Sequence, residues 1–423
     1  MPTHHTATRQ VSSRARNASF MRPAVFVACL VFGSIAGPTI AAAHVKWFVN
    51  CNVSDDPLPL HAVFTMMFFR FLMLFLTMFT VACVAERTAI GILLSESLDR
   101  WTAPLRDRAN ELLRAVTAIF FAVLWAQGGV ILTPELTATS TSLSAIQLLI
   151  PIYLFNRATL PAAGVGIIVL YGYGVAAYGL FHMLDYPVFL GIGMFFILSV
   201  SPNPKVDAVR FHLLRWTVAF SLLWPAMEKF LYPSWVAAIA ILHPELTLGF
   251  PVATTVTAAG IVEFGLSFAL FWTPLVRRLA ALALMLLLTS ATLDFGKLDA
   301  IGHSVIVAIL LVVFADAAGK PQRCHPAFAP LVSSAALLAT IFFYSGGHAL
   351  YYGSKSPALM PLMSGTALLA FIALCLQGLP QVWLQMSKAL RQRLIIGEAG
   401  NAPHQSSPHG ARRPARVASA WRS

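Results

Sequence analysis

Residues 279–316 read LAALALMLLLTSATLDFGKLDAIGHSVIVAILLVVFAD. Two apolar runs, 279–296 and 300–316, meet at a short polar turn. Each approaches the roughly 20 residues that an α-helix needs to cross a bilayer core. Asp294, Asp299 and His303 straddle the turn. Ionisable groups in such segments are costly, so they face a protein interior or a wet cavity, where they do work.

Outward from this stretch the pattern repeats. Apolar segments at 61–84, 115–133, 143–156, 161–181, 186–201, 211–232, 251–274, 328–346 and 361–379 join the first two. The chain is 58% hydrophobic and 11% charged, against about 25% charged in a soluble protein. The fold class expected is an all-α polytopic membrane protein with about 11–12 transmembrane helices.

The net charge of +12 does not point to nucleic acid, because the basic residues cluster in alternate loops. Arg87, Arg100, Arg106, Arg108, Arg114, Arg157, Lys205, Arg210, Arg215, Arg277, Arg278, Lys320 and Arg323 fall on one side, with the tail from Lys388 onward. Lys46, Lys297, Lys355 and the borderline Lys229 fall on the other. The positive-inside rule makes the first side cytoplasmic, which predicts a multi-pass protein of a bacterial inner membrane with a cytoplasmic C-terminus.

Residues 1–43 combine a basic region, an apolar stretch from Pro23 to Ala36 and the small residues Ala41-Ala42-Ala43. They read as a signal peptide or as a first transmembrane helix. Residues 44–60 read as an extracytoplasmic segment, 61–84 as a transmembrane helix and 328–379 as two C-terminal helices. The basic tail 385–423 is expected to be disordered from about 398. Its arginines suit contact with anionic lipid. The five cysteines are scattered singly, which argues against a dithiol redox motif.

Three landmarks recur in order. Leu112-Leu113-Arg114 matches Leu213-Leu214-Arg215, Pro134-Glu135-Leu136 matches Pro244-Glu245-Leu246, and Phe181-His182-Met183-Leu184-Asp185 matches Phe295-Gly296-Lys297-Leu298-Asp299. Four helices per unit keep the orientation, so the expectation is a parallel repeat, 110–202 and 209–316. In the second unit, Arg215, Glu228-Lys229-Phe230, Tyr232-Pro233-x-Trp235, Gly260-x-x-Glu263-x-Gly265 and Phe295-Gly296 followed by Ile301-Gly302-His303 resemble the DoxX-like membrane proteins of bacteria and archaea. The first unit would be a divergent copy. The resemblance implies a four-helix module, in some members associated with quinone-linked sulfur or thiol redox systems and a redox partner protein. The chain carries no paired cysteines of its own, so the resemblance does not extend to a thiol chemistry.

Helical rise gives depth. Glu263 lies about 18 Å into its helix, near the midplane, with Lys229, Asp294 and His303 in an outer layer above it. Asp299 joins that rim. Glu228 and Lys229 are about 100° apart around their helix, so one of the two should face the layer. Arg70, at about 13–14 Å depth, is expected to pair with Glu263; such a pair could equally serve only to lock two helices. These residues are the ligand or proton candidates. A quinone, lipid or small ligand held by Lys229 and His303, with Glu263 and Asp294 handling protons, is one reading. A proton-coupled transporter and a non-catalytic assembly or metal-handling protein are the others. For the last, His44 and His61 are the candidate copper or zinc ligands. Trp235, His243 and Glu245 are expected to line the entrance above the charges.

Overall fold

The computed structural model describes Lys46, Val49 and residues 51–247, 249–316 and 326–353; of Leu293 and Asp294 it describes the backbone alone. The segments 1–43, 361–379 and 385–423 therefore lie outside the described residues.

The described chain is helical apart from one short hairpin. Its helices are α1 (Met66–Ala85), α2 (Ala89–Arg106), α3 (Ala109–Gln127), α4 (Thr141–Leu154), α5 (Leu160–Tyr178), α6 (Val188–Leu198), α7 (Pro204–Leu231), α8 (Pro233–Leu242), α9 (Val252–Ala269), α10 (Pro274–Phe295), α11 (Lys297–Ala315) and α12 (Ala329–Tyr352). Among the described residues, seven helices are long and apolar enough to cross a membrane. The Thr65 side chain caps the N-terminus of α1 by accepting from the Phe68 N–H (3.2 Å). Asn203 caps α7 in the same way (3.0 Å to the Lys205 N–H), supplying one of the acceptors a helix start lacks.

Two expectations are corrected. The segment 115–133 is not one helix: α3 ends at Gly128 and the antiparallel strands β1 (Val130–Ile131) and β2 (Thr133–Thr137) follow. Gly128 and Gly129 both have positive φ, which glycine adopts without steric cost. The arginine-bearing loop after α1 is largely the helix α2, packed on α10 and α11. Its Ile90, Leu93, Leu94 and Trp101 are exposed, while Arg278, fully buried, reaches Asp99 (2.5 Å) and the Asp316 carbonyl (Nε, 2.7 Å) to fasten it.

Neighbouring helices close on one another in the order α3, α4, α5, α6, α7, α9, α10, α11 and back to α3. Helices α1 and α12 pack outside this ring, against each other, with α1 on α9 and α12 on α7. In a bilayer, apolar burial does little to drive helices together, so small residues that permit close approach carry the packing. A Cβ on Gly164 of α5 would stand 2.4 Å from the Gly193 carbonyl of α6. One on Gly265 of α9 would stand 2.4 Å from the Phe75 ring of α1, and one on Gly260 2.6 Å from the Phe230 ring of α7. These two glycines flank Glu263: Gly260 draws its helix against α7 and Gly265 draws it against α1.

Candidate functional site

Helix α7 presents two different faces near its C-terminal end. Lys229 points into a cavity of about 250 Å³, where its Nζ lies 2.7 Å from Glu263 Oε2. Glu228 points away, is buried, and meets Lys46 Nζ (2.6 Å) and the Tyr344 hydroxyl, which donates to its Oε1 (3.2 Å). One of the two adjacent residues faces the cavity, as a 100° step requires.

The cavity is bounded by α6, α7, α8, α9, α10 and α11, and its walls are mostly apolar: Phe189, Ile239, Leu284, Leu288 and Ile306 are among them. Gly296 (φ +77°) ends α10 and begins α11, and this reversal sets Asp299 and His303 one turn apart at the cavity wall. His303 Nδ1 is 2.9 Å from Asp299 Oδ1, and both residues are buried. The cavity thus brings together Lys229, Glu263, Asp299 and His303. Asp294 lies on α10 with its side chain outside the described residues.

Arg70 is not the partner of Glu263. It is exposed on α1 beside the exposed Phe69 and Met73, one turn from the helix start, where a long side chain can extend to the membrane surface. Lys229 takes the place expected for Arg70, because Gly260 lets α9 pack closely on Phe230 and Lys229 of α7. Trp235 also departs from expectation. It is buried in a stack with Tyr232 (ring centroids 4.1 Å apart, 8° between planes), while Val236 and Ile239 of the same helix line the cavity. His243 and Glu245 pair with each other at 3.0 Å, and His243 lies against the cavity residue Phe295. His44 lies outside the described residues and His61 is exposed. Among the described residues no group of three or more His, Cys, Asp or Glu is placed to hold a metal ion.

Four further residues belong to the site. Thr133, Asp185, Ser221 and Ser267 line the cavity. Ser221 Oγ accepts from the Val188 N–H (2.8 Å). By contrast Thr133 Oγ1, Ser267 Oγ, Asp185 Oδ1 and Asp299 Oδ2 are buried with no hydrogen-bond partner among the described residues. Buried polar atoms are nearly always satisfied, by protein, water or ligand. Four such atoms around one cavity can take hydrogen bonds from water or from a bound molecule.

Asp185 joins this cavity to a second cluster. Its Oδ2 holds Lys46, whose amine also holds Glu228. Burial alone would lower the Lys46 amine; the charges of Asp185, Glu228 and Glu135 outweigh it and hold the amine above its ordinary range. Burial holds the Asp185 carboxyl above its own ordinary range, against the opposing pull of Lys46 and His182. Glu135 of β2 meets His182 Nε2 (3.1 Å) and accepts from the Tyr186 hydroxyl. The segment that carries Lys46 is stitched down over the ends of α7 and α12. Tyr232 donates to the Asp55 carbonyl (2.9 Å), His348 Nε2 to the Val53 carbonyl (2.9 Å), and the Leu58 N–H to the Leu231 carbonyl (2.9 Å).

In sequence, Lys46 stands in a short segment that reads as extracytoplasmic, outside any helix-length apolar run, so its burial had little signal. Asp185, just ahead of an apolar segment, had the signal that Asp299 has. No known family model, curated protein or solved structure matches the chain.

Proposed function

We propose that this protein is a DoxX-like subunit of the bacterial inner membrane that binds a quinone, a lipid or a similar small amphipathic molecule at the outer leaflet. The observation that carries the reading is the cavity: apolar walls, with Lys229, Glu263, Asp299, His303 and four unsatisfied buried polar atoms. Ligand pockets combine apolar lining with a few convergent polar groups in this way. The volume of about 250 Å³ suits a ring-sized head better than a whole lipid.

The chemistry of the lining narrows the guest. The Asp185 and Asp299 carboxyl oxygens accept hydrogen bonds; Lys229 donates them, and the Thr133 and Ser267 hydroxyls do either. A head with both hydroxyl and carbonyl character, such as a quinone in its two redox forms, uses both kinds of partner. A redox partner protein would then carry the electrons. On this reading the two halves of the helix ring, α3–α6 and α7–α11, correspond to the parallel repeat, with the ligand held mainly by the second half and touched by Thr133 and Asp185 of the first. A proton-coupled transporter is the alternative reading. It is favoured by Asp185, which faces the cavity with one oxygen and Lys46 with the other.

Purification in mild detergent followed by mass spectrometry of bound small molecules and metals tests the proposal. Quinone or lipid recovered with the wild type and lost in both Glu263→Gln and Asp299→Asn supports it. Folded protein recovered with neither, or with the same ligand in the variants, overturns it. Flux driven by a pH gradient, without bound ligand, would favour the transporter.

A further inference from the structure

At the arginine-rich end of the ring, α3, α5, α6 and α7 enclose a second cavity, of about 370 Å³. Arg114, Arg157 and Arg210 line it, and no carboxylate does. Two of the three guanidiniums are held in place. Arg114 Nε donates to the Leu154 carbonyl (2.9 Å) and its Nη2 to the Phe155 carbonyl (2.7 Å), at the end of α4. Arg210, buried, lies over the Phe195 ring (4.4 Å to its centroid) and donates from Nε to Asp207 Oδ1 (2.8 Å). Each guanidinium has five N–H donors, so these bonds fix the two groups without exhausting them. Arg157 stands at the mouth, mostly exposed, 3.1 Å from Glu111.

One more polar group faces the same space. Asn110 also lines the cavity, and its Oδ1 is buried without a partner among the described residues. A half-turn of the amide would present its two N–H donors instead.

The matching arginine of the second unit shows what a balanced site looks like. Arg215 faces the Asp316 carboxylate at 3.7 Å, which Arg277 shares at 2.8 Å. Arg114 has only carbonyls. We infer that the cavity between α3, α5, α6 and α7 binds a phosphate group, as an anionic phospholipid head or as a free phosphate. Planar guanidiniums match phosphate oxygens in pairs, and basic pockets between membrane helices hold lipid heads. The apolar wall of Leu160, Phe195, Phe196 and Val200 would lie beside a glycerol or acyl segment. This site is at the opposite ends of the helices from the proposed ligand cavity and does not depend on it.

The test uses the full chain in nanodiscs of mixed phosphatidylglycerol and phosphatidylcholine, with retained lipid read by native mass spectrometry. A second arm measures thermal stabilisation by inorganic phosphate in lipid-free detergent. The wild type should retain phosphatidylglycerol over phosphatidylcholine, or be stabilised by phosphate, according to the source of the anion. Arg114→Gln, Arg210→Gln and Arg157→Gln should each reduce the effect about tenfold. Arg157 is exposed, so its variant keeps the test valid if a buried arginine proves necessary for folding. Equal retention of both lipids with no phosphate effect, or an effect unchanged in Arg157→Gln and in whichever of the other two folds, overturns the inference.

Discussion

Replacing Lys46 by Met tests the electrostatic account of the outer cluster. The Lys46 side chain is 4% exposed and those of Asp185 and Glu228 are 0% and 2% exposed. At an effective dielectric constant near 20, one unit-charge contact at the 2.6 Å seen to Glu228 amounts to about 6 kcal/mol before desolvation. Removing one partner of a buried pair costs about 3–5 kcal/mol, because the other charge stays behind. Over a helical core of this size that lowers Tm by about 4–7 °C. The deficit has a pH signature. Burial already holds Asp185 above its ordinary range, and without Lys46 the folded state favours its protonated form more strongly still. A carboxyl with a raised folded pKa contributes most stability below its unfolded value of about 4 and loses it as pH rises toward the folded value. The gap between variant and wild type should therefore be widest near pH 8 and shrink by pH 5. Adding Asp185→Asn and Glu228→Gln should recover more than half of the loss, since no buried charge then lacks a partner. Thermal unfolding in mild detergent, followed by tryptophan fluorescence, reads all three. A melting point within 1 °C of wild type at pH 8, or a deficit that is the same at pH 5, refutes the reasoning.

Burial, with Glu228 behind it, pushes the Cys51 thiol from 9.0 up to about 12. In a variant whose only cysteine is Cys51, alkylation at pH 8 should run about a thousandfold slower in the folded protein than in the denatured chain; equal rates would contradict the burial. Gly265→Leu forces a side chain into the Phe75 ring and should cost about 1–3 kcal/mol or more. Gly172→Ala, where a Cβ meets nothing within 4 Å, should be neutral or stabilise by up to about 1 kcal/mol; the order of the two melting points checks the packing. Arg278→Lys cannot span Asp99 and the Asp316 carbonyl together, and should destabilise by about 3 kcal/mol. A Tm unchanged from wild type would show that α2 is held by other contacts.

The convergence of Lys229, Glu263, Asp299 and His303 on one cavity was legible in the sequence, because helical rise is fixed and sets their positions along the helices. Which neighbour each would face was less legible. The Arg70–Glu263 pairing needed the rotation of α1, and that is set by Gly265 against Phe75 rather than by any pattern within α1. Lys46 arrives through a connecting segment whose path depends on tertiary bonds from Tyr232 and His348. Helix α2 has too many polar residues to register as an apolar run, although Gly91 and Thr102 bury one of its faces.

The two clusters share Asp185 but differ in what they lack, and that difference supports the proposed site. Around Lys46 one cation holds two carboxylates and a tyrosine hydroxyl completes the second, so that cluster is nearly closed among its own residues. Around the cavity, four polar atoms are without partners among the described residues. A closed ion network stabilises; an incomplete one surrounding an apolar space is what the proposed ligand site requires. Because Asp185 belongs to both, a hydroxyl donated to its Oδ1 from the cavity would draw charge away from Oδ2 and weaken its hold on Lys46. Lys46 belongs to the same stretch of chain as the residues bonded by Tyr232 and His348, so on the proposed reading occupancy of the cavity would be felt there. Hydrogen exchange of residues 51–58 with and without ligand is where that coupling would be seen, and its absence would leave the two clusters neighbours and nothing more.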